Sequence, residues 1–109
     1  MKMKKRIELP YGIYQGEVVD NKRDGVGIIQ YLDSGTYEGE FKDDEKNGNG
    51  TMKYPNGDLY DGQWVNGLKS GLGKMTFQNG QYYDGQFQYD KILGKGKFIT
   101  RKGDIYEGN

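Results

Sequence analysis

Tyr60 to Tyr83, Y-D-G-Q-W-V-N-G-L-K-S-G-L-G-K-M-T-F-Q-N-G-Q-Y-Y, is the fullest copy of a unit that this chain of 109 residues writes several times. Tyr14, Tyr37, Tyr60, Tyr83 and Tyr106 stand 23 residues apart, each followed two residues later by Gly16, Gly39, Gly62, Gly85 or Gly108. A second glycine pair follows in each complete copy: Gly25 and Gly27, Gly48 and Gly50, Gly71 and Gly73, Gly94 and Gly96. Between them, four residues after the tyrosine, comes Val18, Phe41, Trp64 or Phe87. A fixed period of this length predicts a repeat array in which each unit stacks on its neighbours.

Hydrophobic residues make up only 33% of the chain and charged residues 29%, a composition close to that of a disordered segment. The strict period and 14% aromatic content point instead to order carried by rings rather than by an aliphatic core. Sixteen basic and sixteen acidic residues cancel, so no long-range field steers the molecule to nucleic acid, and no nucleic-acid partner is expected. There is no cysteine for a disulfide or thiolate metal site and no histidine for metal or acid–base work. No apolar run has the length of a signal peptide or a membrane span, and a cytoplasmic protein is the expectation.

Ile7, Leu9, Tyr11 and Ile13 alternate with other residues, the period of a strand. The expected division is therefore a basic, solvated tail over 1–6, then one domain over 7–109 that opens with an edge strand at 7–13. Repeats follow at 14–36, 37–59, 60–82 and 83–105, with a partial copy at 106–109. Within each repeat, strict alternation puts the tyrosine, the first glycine and the large apolar residue on one side of a strand. If the second glycine pair shares that side, Tyr14 faces Tyr31, Gly16 faces Ile29 and Val18 faces Gly27, and in the third repeat Gly62 faces Met75 and Trp64 faces Gly73. Glycines then serve as receptors for rings. This register leaves hairpin loops at 21–24, 44–47, 67–70 and 90–93, and the turns L-D-S-G, P-N-G-D, Q-N-G-Q and R-K-G-D between hairpins. The fold class is all-β: an elongated antiparallel meander of stacked hairpins, about nine short strands with no helix.

Little here resembles a reaction centre. The carboxylates Glu38, Asp61, Asp84 and Glu107 follow the tyrosines, with Glu17 and Glu40 two residues further on than Gln15 and Glu38. They recur with the period on the face opposite the rings, which suits a solvated polar face with cross-strand partners such as Glu38 with Lys53. The G-x-G pairs sit inside strands and open no helix, so they lack the setting of a phosphate loop. No catalytic residue, cofactor or metal is expected, and the chain reads as a non-enzyme.

The pattern Y-x-G-x-W-x-x-G-x-x-x-G-x-G is that of the MORN (membrane occupation and recognition nexus) repeat, and Tyr60 to Gly73 resembles it at every slot. In the other copies Gly67 is replaced by Asn21, Asp44 or Asp90, which also tolerate a left-handed backbone. The resemblance spans Tyr14 to Gly108. It implies adaptor work, since similar repeats occur as accessory regions in junctophilins, plant phosphoinositide kinases and a histone methyltransferase, and in ciliary and cytoskeletal proteins. A cytoplasmic place beside the cytoskeleton, a cilium or a membrane goes with it.

The expected function is a scaffold that holds a protein segment or helix on an aromatic-lined face formed by Tyr37, Phe41, Tyr60, Trp64, Tyr83 and Phe87. Two departures from the repeat mark further surfaces. Tyr89, Ile92 and Leu93 with Ile105 and Tyr106 suggest an assembly edge, as in a homodimer. Lys91, Lys95, Lys97, Arg101 and Lys102 form a basic stretch able to meet acidic lipid or protein. Peripheral binding to acidic phospholipid is the alternative, as is a place as the accessory region of a larger enzyme.

Overall fold

The computed structural model describes residues 2–108 as ten antiparallel strands in a single open sheet, ordered as in the chain. They are β1 (Met3–Leu9), β2 (Gly12–Val19), β3 (Lys22–Tyr31), β4 (Thr36–Lys42), β5 (Glu45–Lys53), β6 (Leu59–Val65), β7 (Leu68–Thr76), β8 (Tyr82–Gln88), β9 (Lys91–Ile99) and β10 (Ile105–Gly108). Nine intervals at about 4.8 Å give about 43 Å, close to the observed length of 47 Å, and the 17 Å thickness is that of one layer. The all-β meander predicted from the period is the fold.

The N-terminal segment differs from its expectation. Residues 3–6, read as part of a solvated tail, belong to β1, where Lys4 and Arg6 pair with Glu17 and Gln15 of β2. The strand expected at 7–13 is instead broken by the Pro10–Tyr11 turn, because proline supplies a turn φ and no donor, which gives ten strands rather than nine.

Within the hairpins the register is shifted by two from simple alternation. Gly16 faces Gly27, not Ile29, and Tyr14 faces Ile29, not Tyr31. The third repeat is corrected in the same way, with Gly62 opposite Gly73 and Tyr60 opposite Met75. The cause is a β-bulge that alternation cannot count: Asp24, Gly25 and Val26 together oppose Glu17, and Gly25 takes φ +101°. The bulge is filled by Glu17, whose carboxylate accepts the Val26 N–H at 2.7 Å. Glu40 accepts the Asn49 N–H at 2.9 Å and Gln63 the Leu72 N–H at 2.7 Å in the same way. The Glu17 and Glu40 side chains are therefore structural plugs, and Glu38 faces Thr51 and Ile28 rather than Lys53.

The bulge also shortens the hairpin loops from the predicted four residues to two. Asp20–Asn21, Asp43–Asp44, Asn66–Gly67 and Tyr89–Asp90 all have positive φ at both positions, the type I′ geometry that matches strand twist. As a result, one glycine from every strand from β2 to β10 lines up: Gly16, Gly27, Gly39, Gly50, Gly62, Gly73, Gly85, Gly96 and Gly108 are successive partners across the sheet.

The core lies along this row. A Cβ added at Gly27, Gly50 or Gly73 would land in the ring of Tyr14, Tyr37 or Tyr60. Each hydroxyl donates to the carbonyl three residues on, at 2.6 Å for Tyr14 to Glu17, 2.9 Å for Tyr37 to Glu40 and 2.8 Å for Tyr60 to Gln63. Edge-to-face contacts then run unbroken through Tyr14, Phe41, Tyr37, Trp64, Tyr60, Phe87 and Tyr83, with centroids 5.0 to 5.4 Å apart. A single layer thus makes an interior by pressing rings onto bare backbone.

Candidate functional site

Two of the three surfaces expected from sequence change character in the structure. Tyr37, Phe41, Tyr60, Trp64, Tyr83 and Phe87 do share one face, but at 0 to 5% exposure they are the core and present no surface to a partner. The Trp64 indole N–H is spent on the Gly50 carbonyl at 3.1 Å. The reason lies in the glycine row: where each ring reaches across backbone without side chains, its neighbours close over it.

The second surface, Tyr89, Ile92, Leu93, Ile105 and Tyr106, is exposed but not gathered into one patch. Tyr89 lies in a turn; Ile92 opposite Phe87 and Tyr106 opposite Phe98 are on the ring side. Leu93 and Ile105 alternate to the other side.

The basic stretch keeps its exposure, but its charges are interleaved with acids. Lys97 lies between Asp84 and Glu107 in a cross-strand row that runs Asp61, Lys74, Asp84, Lys97, Glu107. Lys91 and Lys95 are exposed on the same face, while Arg101 and Lys102 lie in the β9–β10 turn. On this face, at the other end, a depression of about 620 Å³ is lined by Lys4, Arg6, Glu17, Val26, Ile28 and Glu38, of mixed sign.

The accessible aromatic surface is a different set, along the rim of the ring face. Arg23, Lys46 and Lys69 are one period apart, and each extends over the core rings: Arg23 5.5 Å from Phe41, Lys46 5.4 Å from Tyr37 and from Trp64, Lys69 5.6 Å from Tyr60. Such contacts let a cation cover a ring, and all three cations are themselves only partly exposed. Beside each cation stands a phenol outside the core. Arg23 donates to the Tyr11 hydroxyl at 3.0 Å, Lys69 to that of Tyr54 at 2.9 Å, and Lys46 lies 5.7 Å from the Tyr31 ring, which stacks on Tyr11 at 5.8 Å. Tyr11 is 43% exposed, and Tyr31 and Tyr54 are partly buried. Burial pushes the Tyr31 hydroxyl up to about 12, with the neighbouring Tyr11 adding to the shift. The fourth repeat breaks the series, with Ile92 in the cation's place.

Sequence reading passed over these cations because they fall in what looked like hairpin loops. Their spacing of 23 was the available signal. It became meaningful only with the bulge, which moves Arg23, Lys46 and Lys69 out of the expected loops and into the strands, opposite Val18, Phe41 and Trp64.

Comparison with curated proteins finds no match to this chain. The family model of the MORN repeat matches four consecutive stretches, 14–36, 37–59, 60–82 and 83–105. With most of its length covered by these four units, and with the sheet built from them, the chain belongs to the MORN repeat family.

Proposed function

We propose that this array is a non-enzymatic scaffold that binds a segment of another protein along the phenol and cation rim of its ring face. The observation that carries this reading is a row of cations one period apart, each with a phenol beside it: Lys46 with Tyr31 and Lys69 with Tyr54 at equivalent repeat positions, and Arg23 with Tyr11 from the turn before the first repeat. Partly exposed tyrosines offer apolar area and a hydroxyl at low entropic cost, and adjacent cations add orientation, the combination enriched at binding hot spots. Successive cations are two strands apart, about 9.6 Å, as are Tyr31 and Tyr54, while Tyr11 stacks directly on Tyr31. An extended segment running along the array meets a new cation about every third residue at about 3.3 Å per residue.

Selection of peptides from a displayed library tests this reading. Binders should lose about tenfold or more in affinity toward a Tyr11→Ser, Tyr54→Ser variant whose melting curve stays cooperative, since hot-spot truncations cost about 2 kcal/mol. A library that yields no binder sensitive to the rim sinks the proposal. Flotation with vesicles containing acidic phospholipid serves as the opposing arm. The alternation of Lys97 with Asp84 and Glu107 favours the protein reading, because a lipid surface gains little from cations flanked by carboxylates.

A further inference from the structure

We propose that Lys46 is the receptor for a side-chain carboxylate, Asp or Glu, of the bound segment, which settles beside Gly67 in the position that Asp44 and Asp90 fill from within the chain. The inference rests on the segment-binding reading and specifies the partner's chemistry.

The neighbouring repeats show what the site lacks. In the first, the Asp44 carboxylate accepts the Arg23 backbone N–H at 2.8 Å and lies 3.3 Å from the Arg23 Nε. In the third, Asp90 accepts the Lys69 N–H at 2.8 Å and lies 3.9 Å from the Lys69 Nζ. Each carboxylate stands at the second position of the following type I′ turn, where the middle repeat has Gly67. The backbone clip between repeats is nevertheless intact, for the Gly67 N–H donates to the Lys46 carbonyl at 2.9 Å, as Asp44 does to Arg23.

That clip fixes the direction of the missing contact. In a two-residue hairpin the residues flanking the turn, Lys42 and Glu45, exchange hydrogen bonds, and the next pair, Phe41 and Lys46, turns its backbone groups outward. The Lys46 N–H therefore points at the Asn66–Gly67 turn, as those of Arg23 and Lys69 point at Asp44 and Asp90. Among the described residues, Lys46 Nζ has no hydrogen bond and no carboxylate within 4.0 Å; its surroundings are the rings of Tyr31, Tyr37 and Trp64. A Cβ at Gly67 would meet nothing within 4 Å, and a depression of about 300 Å³ opens there, lined by Lys46 and Gly67 with Tyr11, Tyr31, Arg23 and Asp44. Asp44 is committed to Arg23, and Glu45 is exposed.

Burial holds the Lys46 ammonium below the usual lysine range, outweighing the opposite pull of Tyr11, Tyr54 and the more distant Asp90. A carboxylate arriving from outside would find two donors already placed. The preference of type I′ turns for Asn-Gly accounts for a glycine at 67, but not for the unpaired lysine, since Asp44 and Asp90 hold the same turn position at φ 72° and 68°.

The test is a titration of the isotopically labelled full chain with a blocked tripeptide, acetyl-Ser-Asp-Ser-amide, against the same peptide with Asn, followed through the Lys46 amide and Trp64 indole resonances. Saturable shifts with the Asp peptide, absent with the Asn peptide, are expected. Gly67→Asp should fill the site from within and weaken the response about tenfold, the worth of a hydrogen bond to a charged group. Lys46 and Trp64 signals that ignore the Asp peptide, or that respond equally in Gly67→Asp, overturn the inference. Selected rim binders that contain no acidic residue and bind wild type and Gly67→Asp alike would also overturn it, while leaving segment binding in place. Saturable Asp-specific shifts beside a library without rim-sensitive binders would support the carboxylate site and remove the segment reading.

Discussion

The Tyr60 ring lies across Gly73, ten residues before Tyr83 begins the next copy, so closely that a methyl group on that glycine would stand 2.5 Å from Cε1 and 2.6 Å from Cζ. The contact joins β6 to β7 and repeats at Tyr14 with Gly27 and Tyr37 with Gly50. Gly73→Ala should therefore destabilise the array by about 1 to 3 kcal/mol as overpacking. Tyr60→Phe should cost about 1 to 3 kcal/mol by a different route, since it strips the Gln63 carbonyl of its 2.8 Å donor while keeping the ring. Urea unfolding of both variants checks this, and midpoints equal to wild type would contradict the packing described.

Trp64 is a stability residue. Its indole is 4% exposed, meets Tyr37 at 5.4 Å and Tyr60 at 5.1 Å, and donates to Gly50. Trp64→Ala should lose about 3 to 5 kcal/mol, a large share of the total for a domain of this size. Thermal melting should show the loss directly. A Trp64→Ala variant that melts normally but fails to bind would restore the indole as an interface anchor.

Alkaline pH should unfold the array. Burial raises Tyr14 and Tyr60 to about 12, and Tyr37 is raised as well. A tyrosine ionises near 10 in the unfolded chain, so between pH 10 and 12 the unfolded state loses protons that the folded state keeps. Stability is full below pH 10 and falls as pH rises through that window, by about 2 to 3 kcal/mol for each fully buried tyrosine. Lys46, with a lowered folded value, works in the opposite direction but is one group against several. Melting temperatures flat from pH 9 to pH 12 would be the contrary result.

Two turn positions carry a side chain where the backbone is left-handed and their counterparts are easier. Ser34 has φ 76°, where Gly57, Gly80 and Gly103 have φ between 92° and 97°. Tyr89 has φ 50° at a turn position held elsewhere by Asp20, Asp43 and Asn66. Ser34→Gly and Tyr89→Asn should each stabilise by about 0.5 to 1 kcal/mol, part of the 1 to 2 kcal/mol that a left-handed L-residue costs. The check is a rise in urea midpoint at unchanged slope. Because Tyr89 is 70% exposed, little packing is lost with its ring.

The 23-residue spacing of Tyr14 to Tyr106 by itself determined the period, the all-β class, the stacking of hairpins and the role of glycines as seats for rings, because these follow from residue type and count alone. The left-handed backbone at Gly80, φ +93°, was legible in the same way from Q-N-G-Q. Only the tertiary structure decided the register. Gly25 and its counterparts spend two extra residues in a bulge, so Gly16 meets Gly27, and alternation counted from either end lands two places away. The same shift decided the surface: it turns Tyr37, Tyr60 and Trp64 onto neighbouring glycines and Arg23, Lys46 and Lys69 over the rings, which makes core of the expected binding face. Whether a ring is buried or offered depends on what lies across the next hairpin. That is a long-range contact, and spacing within one repeat does not contain it.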